Sequence, residues 1–571
     1  MIWASGPLLP LMALIWPLLL GVLASLPVVR PHALRLLPLA PLPALWLALT
    51  GVEGLTHAPD LLLGVTLAAG RPATLLLGMT AALWFAAAIH AQGSMDRTRK
   101  PAVFSGFWCL TLAGNLGVFL AQDVVTFYVA FAAVSLSAYF LVVHEGTPSA
   151  LRAGRVYAVL AIIGEVCLLA SFVIGAASAN GLLISDIRAA LQSAPLGPVA
   201  TVLLIAGFGI KAGLMPLHLW LPLAHPAAPT PASAVLSGAI VKAGIIGMMM
   251  FVPLATMAGS VLLVIGFGTA FFAAVTGLRV RAPKAILAYS TISQMGLVIA
   301  LVGAATQADG SDMAPAAFYA FHHGLAKGAL FLSVALVALS AGRWRNAALV
   351  LVVLVALSVA GGPLTGGGLA KAMAKTDLGS WAGFALTLSA ATTTLLLGWF
   401  LHRLASSGAN AGQTKGSGGG RPNMCVVLPT VGLALAALIM PWWLWSDWSA
   451  LAPDYPLRLA TIWSALWPVA LGMGLIGIMA ANRWPLGTVD EADPLPAAHW
   501  MAIQLSPLRA VPGQLAKARG LAADQVMATV HKGSRLLAQE IGAIEGGLLR
   551  GQISGMAFLA FILLVAVVSA P

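Results

Sequence analysis

The sequence predicts an all-α protein that crosses a membrane about sixteen times. Of its 571 residues, 60% are hydrophobic and 8% are charged, whereas a soluble domain of this size needs a far more polar surface. Apolar runs of roughly 18 to 25 residues recur along the chain, and each is long enough to cross a hydrocarbon core about 30 Å thick. The alternating ten-residue strands of an outer-membrane barrel are absent from the sequence. The fold class is therefore a polytopic membrane bundle.

Sixteen runs satisfy the length and hydropathy of a span. They are residues 8–29, 33–52, 72–92, 103–121, 124–143, 155–178, 198–224, 231–253, 258–278, 285–305, 314–340, 347–372, 380–402, 424–445, 459–481 and 553–570. The first run lacks both a basic start and a small-residue cleavage site, so we expect a retained helix rather than a signal peptide.

Basic residues are concentrated on one side of the predicted bundle. With the N-terminus outside, 22 of the 30 lysines and arginines fall in cytoplasmic segments and 4 in outside loops, while the remaining four lie within spans. The positive-inside rule then predicts a multi-pass protein of a bacterial-type inner (cytoplasmic) membrane with its N-terminus outside. The formal net charge of +12 is explained by topology, so no nucleic-acid partner is needed.

Two stretches are too polar to be spans. Residues 406–422 (SSGANAGQTKGSGGGRP) are typical of a flexible connection. Residues 482–552 alternate apolar and basic positions, which predicts one or two amphipathic helices on the cytoplasmic face before a last anchor helix. Either a simple tether or a specific docking role is compatible with that pattern.

Four lysines fall inside predicted spans: Lys211, Lys242, Lys327 and Lys371. Ionisable residues at this depth are costly and usually mark an ion route. Residues 187–308 contain no Asp or Glu, so local ion pairs cannot neutralise the first two lysines. Release of the proton removes the cost of an unpaired buried ammonium, and these lysines could therefore exchange protons during turnover. Snorkelling to the interface suits Lys284 at a span start, but it does not suit Lys242 or Lys327 near span centres.

Helix breaks and histidines accompany these lysines. Lys211 precedes a segment interrupted by Pro216, and Lys371 follows the glycine- and proline-rich stretch GGPLTGGGLA. Charges at broken helices in two halves of a chain are typical of transporters with inverted repeats. Histidine is a natural proton relay near neutral pH. We therefore expect a functional role for His322 or His323, which precede Lys327 by one helical turn, and keep His218 and His225 as candidate relays with a structural role equally open.

The stretch KAGLMPLHLWLPLAHPAAPTPASAVLSGAIVKAG (211–244) resembles the central signature of the antiporter-like subunits of respiratory complex I, of Mrp-type cation/proton antiporters and of membrane-bound hydrogenases. Three further stretches match in family order: KAILAYSTISQMG (284–296), FHHGLAKGALFL (321–332) and GGPLTGGGLAK (361–371). The sixteen spans are similar to the largest of these subunits, and residues 482–552 would be a shortened version of its lateral arm.

The resemblance implies two inverted five-helix repeats with lysines on their broken helices. It divides the chain into N-terminal helices (1–100), a first repeat (101–253), a second repeat (254–403), peripheral helices (404–481) and a cytoplasmic segment with its anchor (482–571). Lys211 and Lys371 match the broken-helix lysines, and Lys242 matches the bridging lysine. His323 and Lys327 match the histidine and lysine of the later span.

One departure from the family pattern concerns the fifth span. Family members usually carry a glutamate there, opposite the first broken-helix lysine, whereas this chain has Ala132. Glu165 in the next span matches a position where some members carry an acid. We predict that Glu165 is buried on the side of its helix that faces Lys211 and takes over part of the pairing; the alternative is a carboxylate bound structurally to a neighbouring helix.

Two functional hypotheses follow from the resemblance. The first is a proton-translocating subunit of a redox-driven or cation/proton-exchange complex, moving H⁺ along a buried lysine, histidine and water chain with other membrane and peripheral subunits as partners. The alternative is the proton-conducting partner of a two-component inorganic-carbon uptake system, whose partner would carry zinc. The sequence has no Rossmann fingerprint, P-loop or metal-ligand cluster, and Cys109, Cys167 and Cys425 are isolated, so no cofactor is expected. The sequence does not distinguish H⁺ from Na⁺ as the ion that is moved.

Overall fold

The computed structural model describes residues 8–51, 55–95, 100–307, 312–376, 378–407 and 423–481. Within these ranges, 14 helices are long and apolar enough to cross a membrane. The predicted span 198–224 is present as two shorter helices around a break, and the predicted span 553–570 lies outside the described residues, as does the segment 482–552. The prediction of an all-α polytopic bundle is confirmed.

The N-terminal part contains three spans and a small hairpin. Its elements are α1 (Leu8–Ser25), α2 (Arg30–Thr50), β1 (Thr56–Ala58), β2 (Val65–Leu67) and α3 (Arg71–Ser94). The two strands pair in antiparallel register, with Thr56 opposite Leu67. The buried Asp123 side chain ties this hairpin to the next unit, because its carboxylate accepts from Thr66 N at 2.8 Å and from Thr126 N at 2.7 Å. The second contact caps the helix that begins at Val124.

Two groups of five spans follow. The first contains α4 (Pro101–Leu120), α5 (Val124–Val142), α6 (Pro148–Ala176), the short helix α7 (Ile184–Ser193), the half-helices α8 (Gly197–Ala212) and α9 (Trp220–Ala227), and α10 (Thr230–Phe251). The second contains α11 (Met257–Gly277), α12 (Pro283–Gln307), α13 (Ala314–Leu339), the half-helices α14 (Gly342–Ala360) and α15 (Gly366–Ala374), and α16 (Ser380–Ser407). Three peripheral helices close the described chain: α17 (Met424–Trp443), α18 (Trp445–Trp448) and α19 (Leu459–Ala481).

The fourth span of each group is broken by a glycine in the left-handed conformation. Gly213 has φ +82° where α8 ends, and Gly361 has φ +87° where α14 ends. Because residues with a Cβ rarely adopt this conformation, glycine ends each helix inside the bundle. The order of elements is thus the same in both groups. The inverted relation between them, and the domain boundaries at residues 100, 253, 403 and 481, stay predictions.

Basic side chains gather at one end of the bundle, which we call the basic end. Arg403 donates to Arg281 O at 3.2 Å, Arg345 to Ala405 O at 2.6 Å and Lys284 to Ala228 O at 2.9 Å. These contacts bring together the chain segments around residues 228, 281, 345 and 405. The basic end is therefore built from the segments that the charge count assigns to the cytoplasm.

The central helices are the most buried. In α10 and α12, 94% of the residues of the hydrophobic window are buried inside the bundle, compared with 33% in α1 and 17% in α19. Lys242 lies on α10, His323 contacts it there, and Lys327 contacts α12.

Candidate functional site: a buried line of lysines and histidines

Lys211 is the second residue before the left-handed glycine that ends α8, and it is buried. Its ammonium donates to Tyr157 Oη at 3.2 Å, and Tyr157 in turn donates to Ser135 O at 2.6 Å. The rings of Phe131 and Tyr157 lie beside the ammonium, with centroids 5.9 Å and 5.6 Å from Nζ. An aromatic wall and one hydroxyl therefore form the immediate surroundings of this lysine.

Glu165 lies on the inner side of α6 and is 7% exposed. The helix packs against α8 at this level, since the neighbouring Gly164 lies against Gly207 and Ile210. Neither Glu165 oxygen has a protein partner in hydrogen-bonding geometry, although Ser135 and Lys211 are near enough to interact with the carboxylate. The structure thus brings Glu165 and Lys211 into one electrostatic cluster.

The carboxylate of Glu165 also faces the part of α5 that carries Ala132. Tyr128 and Ser135 both interact with Glu165. On an α-helix, positions 128, 132 and 135 share one face because they are spaced by four and three residues. The Glu165 carboxylate therefore lies near the face of α5 that carries Ala132.

Lys242 is fully buried in α10, directly after a π-helical turn at Leu236–Ile240. Its ammonium donates to Ser237 O at 2.9 Å and lies 2.7 Å from His323 Nδ1. A π turn widens a helix locally and often occurs at functional positions. The contact with His323 joins the last helix of the first group to the third helix of the second group.

Lys327 lies one turn after His323 on α13 and is also fully buried. It donates to Leu287 O at 3.2 Å, the same carbonyl that accepts from Thr291 Oγ1 at 3.0 Å. Thr291 Oγ1 lies 2.7 Å from Ser237 Oγ. Hydroxyl groups therefore connect the surroundings of Lys327 with the π turn beside Lys242.

The adjacent His322 faces the second helix break. Its Nε2 lies 2.8 Å from Ser358 Oγ, and the ring contacts Gly366 and Gly367 at the start of α15. Consecutive helical residues point about 100° apart, so two neighbouring histidines reach two different neighbouring helices. His323 therefore contacts Lys242, and His322 contacts Ser358 beside the second helix break.

Lys371 lies on the half-helix after that break. Its ammonium donates to Ala360 O, the last carbonyl of α14, at 3.1 Å and to Ser389 Oγ at 3.1 Å. The ammonium of Lys371 thus lies at the negative end of one half-helix. In the first break the corresponding role belongs to Trp220, whose indole donates to Ile210 O at 2.7 Å.

The two candidate relay histidines lie apart from this line. His218 packs near Phe272 and Tyr289, with ring centroids at 5.7 Å and 6.3 Å, and its Nδ1 has no partner. His225 stacks on Phe331 at 4.5 Å, and neither of its ring nitrogens has a partner. His225 lies within electrostatic range of Lys284 and Lys327, whereas the described contacts of His218 include none of the four lysines.

Several polar residues of the site were not identified from the sequence. They are Tyr157, Ser358 and Ser389, together with the chain in which Tyr319 Oη donates to Gln294 Oε1 at 2.8 Å and Gln294 Nε2 donates to Thr393 Oγ1 at 3.0 Å. The motif KAILAYSTISQMG contains Gln294, but nothing in the sequence indicates its partners. Within the described ranges, no group of three or more His, Cys, Asp or Glu side chains could hold a metal ion.

Comparison with known proteins shows which family the two five-span groups resemble. The family model described as "NADH:quinone oxidoreductase/Mrp antiporter, TM" matches residues 121–396, the region that contains both broken helices. Residues 121–396 match the antiporter-like membrane-subunit family. The chain is 29% identical over 249 residues to "Hydrogenase-4 component B" of Escherichia coli (strain K12), covering 41% of this chain and 37% of that protein. It is 28% identical over 302 residues to "Putative antiporter subunit mnhA2" of Staphylococcus saprophyticus, covering 47% of this chain and 38% of that protein.

A solved structure agrees with the fold of this antiporter-like subunit. The Mrp complex from Dietzia sp. DQ12-45-1b superposes with a TM-score of 0.69 over 93% of this chain and 63% of the compared chain, at 22% identity. At that identity the likeness shows the fold alone. The chain matches 37% and 38% of the length of the two curated relatives.

Proposed function

We propose that this antiporter-like subunit moves protons across the membrane along the buried line of lysines and histidines, within a larger cation/proton-exchange or redox-driven complex. The observation that carries the proposal is the 2.7 Å contact between Lys242 Nζ and His323 Nδ1. It joins the two five-span groups through two groups that can each hold or release a proton. A structural role alone gives no reason to bury an ammonium against an imidazole at mid-bilayer.

The order of the groups supports a continuous route. From the first break the line runs through Lys211, Lys242, Lys327, His323, His322 and Lys371. The close approach of α10 to α8, where Gly244 packs against Phe208 and Ala212, brings the helices of the first two lysines together. Water would complete the steps between the side chains, and the unwound backbone at each break offers polar groups to order it.

Glu165 supplies the counter-charge for Lys211 in this proposal. The ammonium is surrounded by aromatic rings and one tyrosine hydroxyl, so its charged form needs a carboxylate or water nearby. Glu165 is the acid that interacts with it among the described residues. In family members the carboxylate that pairs with this lysine comes from the fifth span, whereas here Glu165 supplies it from the sixth span, α6.

We further propose that protons enter from the basic end by way of His225. Its two ring nitrogens lack partners, and it lies within range of both Lys284, which is anchored at the basic end, and Lys327 in the line. In a multi-pass protein with its N-terminus outside, this end faces the cytoplasm of a bacterial-type cell. His218 lacks a comparable set of neighbours, and we assign it no step.

The partners of the subunit follow from its relatives' names. A hydrogenase component and an antiporter subunit are both parts of assemblies, which supports a multi-subunit complex with further membrane and peripheral subunits. Co-purification separates this proposal from the inorganic-carbon alternative. Iron–sulfur, nickel, flavin or small antiporter subunits would support the complex, and a single soluble zinc protein would support the alternative.

The test measures proton flux in vesicles that contain the purified assembly and a pH-sensitive dye. Lys242→Ala and Lys211→Ala should each abolish flux while insertion and assembly remain intact. Asn115→Ala is the matched control, because Asn115 is buried and bonded to Trp84 Nε1 at 3.1 Å but lies outside the line. Wild-type flux in both lysine variants would contradict the proposal, and equal loss in Asn115→Ala would attribute the effect to packing.

A further inference from the structure

A small cavity lies between α15, α16 and α19, beside Lys371. Its volume is about 30 Å³, and the polar side chains that line it are Lys371, Lys375, Thr387, Thr461 and Ser464. This volume accommodates one or two water molecules or one ion of chloride size. None of the steps proposed above uses Lys375 or the residues of α19.

The charged groups of this cavity are both cationic. Lys371 and Lys375 are one helical turn apart on α15 and its C-cap, and both line the cavity. The two ammonium groups interact unfavourably with each other. No carboxylate lines the cavity, and no ion pair with either lysine occurs in the part of the chain that the structure describes. Two like charges in a confined space need a counter-ion or water.

The hydrogen-bond donors of the cavity match an anion. Lys371 donates to Ala360 O and Ser389 Oγ, which leaves its third N–H for a further acceptor. Lys375 also lines the cavity, and its ammonium can donate up to three hydrogen bonds. Thr461 adds a hydroxyl, whereas the hydroxyl protons of Thr387 and Ser464 are donated to helix carbonyls. A metal cation would be repelled by both ammonium groups and would find no carboxylate ligand.

We propose that this cavity binds a small monovalent anion of chloride size, held between the ammonium groups of Lys371 and Lys375. The anion would offset one of the two positive charges, and it would help to keep Lys371 charged without an acidic side chain. Binding does not depend on the proposed function, because the cavity and its charges are present whether or not the subunit moves protons.

Chloride binding to the purified full-length chain in detergent tests the proposal, with ³⁵Cl line broadening as the readout and bromide as a competitor. Saturable binding is expected in the wild type. Lys375→Gln should weaken it at least about tenfold, whereas Lys375→Arg, which keeps the charge, should stay within about threefold of the wild type. Arg71→Gln removes one positive charge away from the cavity, at the contact with Asp447 O, and should leave binding unchanged.

Several results would overturn the proposal. They are non-saturable chloride broadening in the wild type, unchanged binding in Lys375→Gln, or equal weakening in Arg71→Gln. Asp377 follows Lys375 closely in the sequence and lies outside the described residues. Asp377→Asn should not weaken chloride binding, and a loss in that variant would also contradict a site formed by the two ammonium groups.

Discussion

The contact between Lys242 and His323 gives the sharpest prediction. His323→Leu removes the imidazole and keeps an apolar side chain of similar size, so that Lys242 is left with Ser237 O as its one described acceptor. His323→Gln retains an acceptor for the ammonium but cannot take up a proton near neutral pH. The two variants therefore separate a relay from a passive hydrogen-bond partner.

The size of the effect follows from burial and distance. The exposed fraction is 0% for Lys242 and 1% for His323, and the two nitrogens are 2.7 Å apart. A hydrogen bond to a charged group contributes about 1.5–3 kcal/mol. If charged Lys242 is an intermediate of the transfer, loss of this hydrogen bond slows flux by about 10- to 150-fold, since 1.4 kcal/mol corresponds to a factor of about ten.

The assay is initial proton flux in vesicles at equal protein content. If His323 carries the proton, we expect His323→Leu to lose flux by at least this factor, and we expect His323→Gln to lose flux as well although its amide still accepts from Lys242. Near-normal flux in His323→Gln together with a loss in His323→Leu would show that the imidazole only accepts a hydrogen bond. Normal flux in His323→Leu would refute the role of the contact altogether.

Three further predictions concern the counter-charge, the orientation and the acid sensitivity. Glu165→Gln should shift the pH dependence of flux, and Ala132→Glu in that background should restore part of the activity by returning a carboxylate to the same cluster; no restoration would argue against compensation. In a background without native cysteines, Ser407→Cys at the basic end should react with an impermeant thiol reagent only in inverted vesicles. Ser446→Cys at the opposite end should react only in intact cells, and the reverse pattern would contradict the orientation. Burial lowers the pKa of His144, which follows the end of α5, to about 4. Between pH 4 and about pH 6.5 the folded state then binds fewer protons than the unfolded state. The contribution of His144 to the free energy of unfolding is therefore full above pH 6.5 and falls by about 1–2 kcal/mol on going to pH 5. The fall in Tm over this range should be smaller in His144→Gln, and an equal fall in that variant would refute the role of His144.

The sequence was informative about which residues are buried and where the helices break. Lys242 and Lys327 stood out because a charge near the centre of an apolar run has no inexpensive explanation other than function. Pro216 after Lys211 and the glycine- and proline-rich stretch before Lys371 indicate interruptions, and the structure has a left-handed glycine at each break. Both features can be predicted from the local sequence alone, without knowledge of which distant residues they contact.

Most of the other pairings could not be predicted, since they depend on helix rotation and on distant elements. Nothing in FHHGLAKGALFL indicates which of the two histidines faces Lys242. The π turn at Leu236–Ile240, which precedes that lysine, has no sequence signature. Tyr157 was indistinguishable from any aromatic residue in a span until α6 and α8 were placed together.

Two adjacent histidines on one rigid helix have a mechanical consequence. His323 touches one neighbour and His322 another, so a rotation of α13 about its axis changes both contacts in the same movement. Side-chain atoms lie about 5–6 Å from a helix axis, and a turn of about 10° displaces them by about 1 Å. That displacement is enough to break a short hydrogen bond. Rotation of α13 can therefore couple the Lys242 contact of His323 to the Ser358 contact of His322. The two contacts would change together although no side chain moves from one side of the helix to the other.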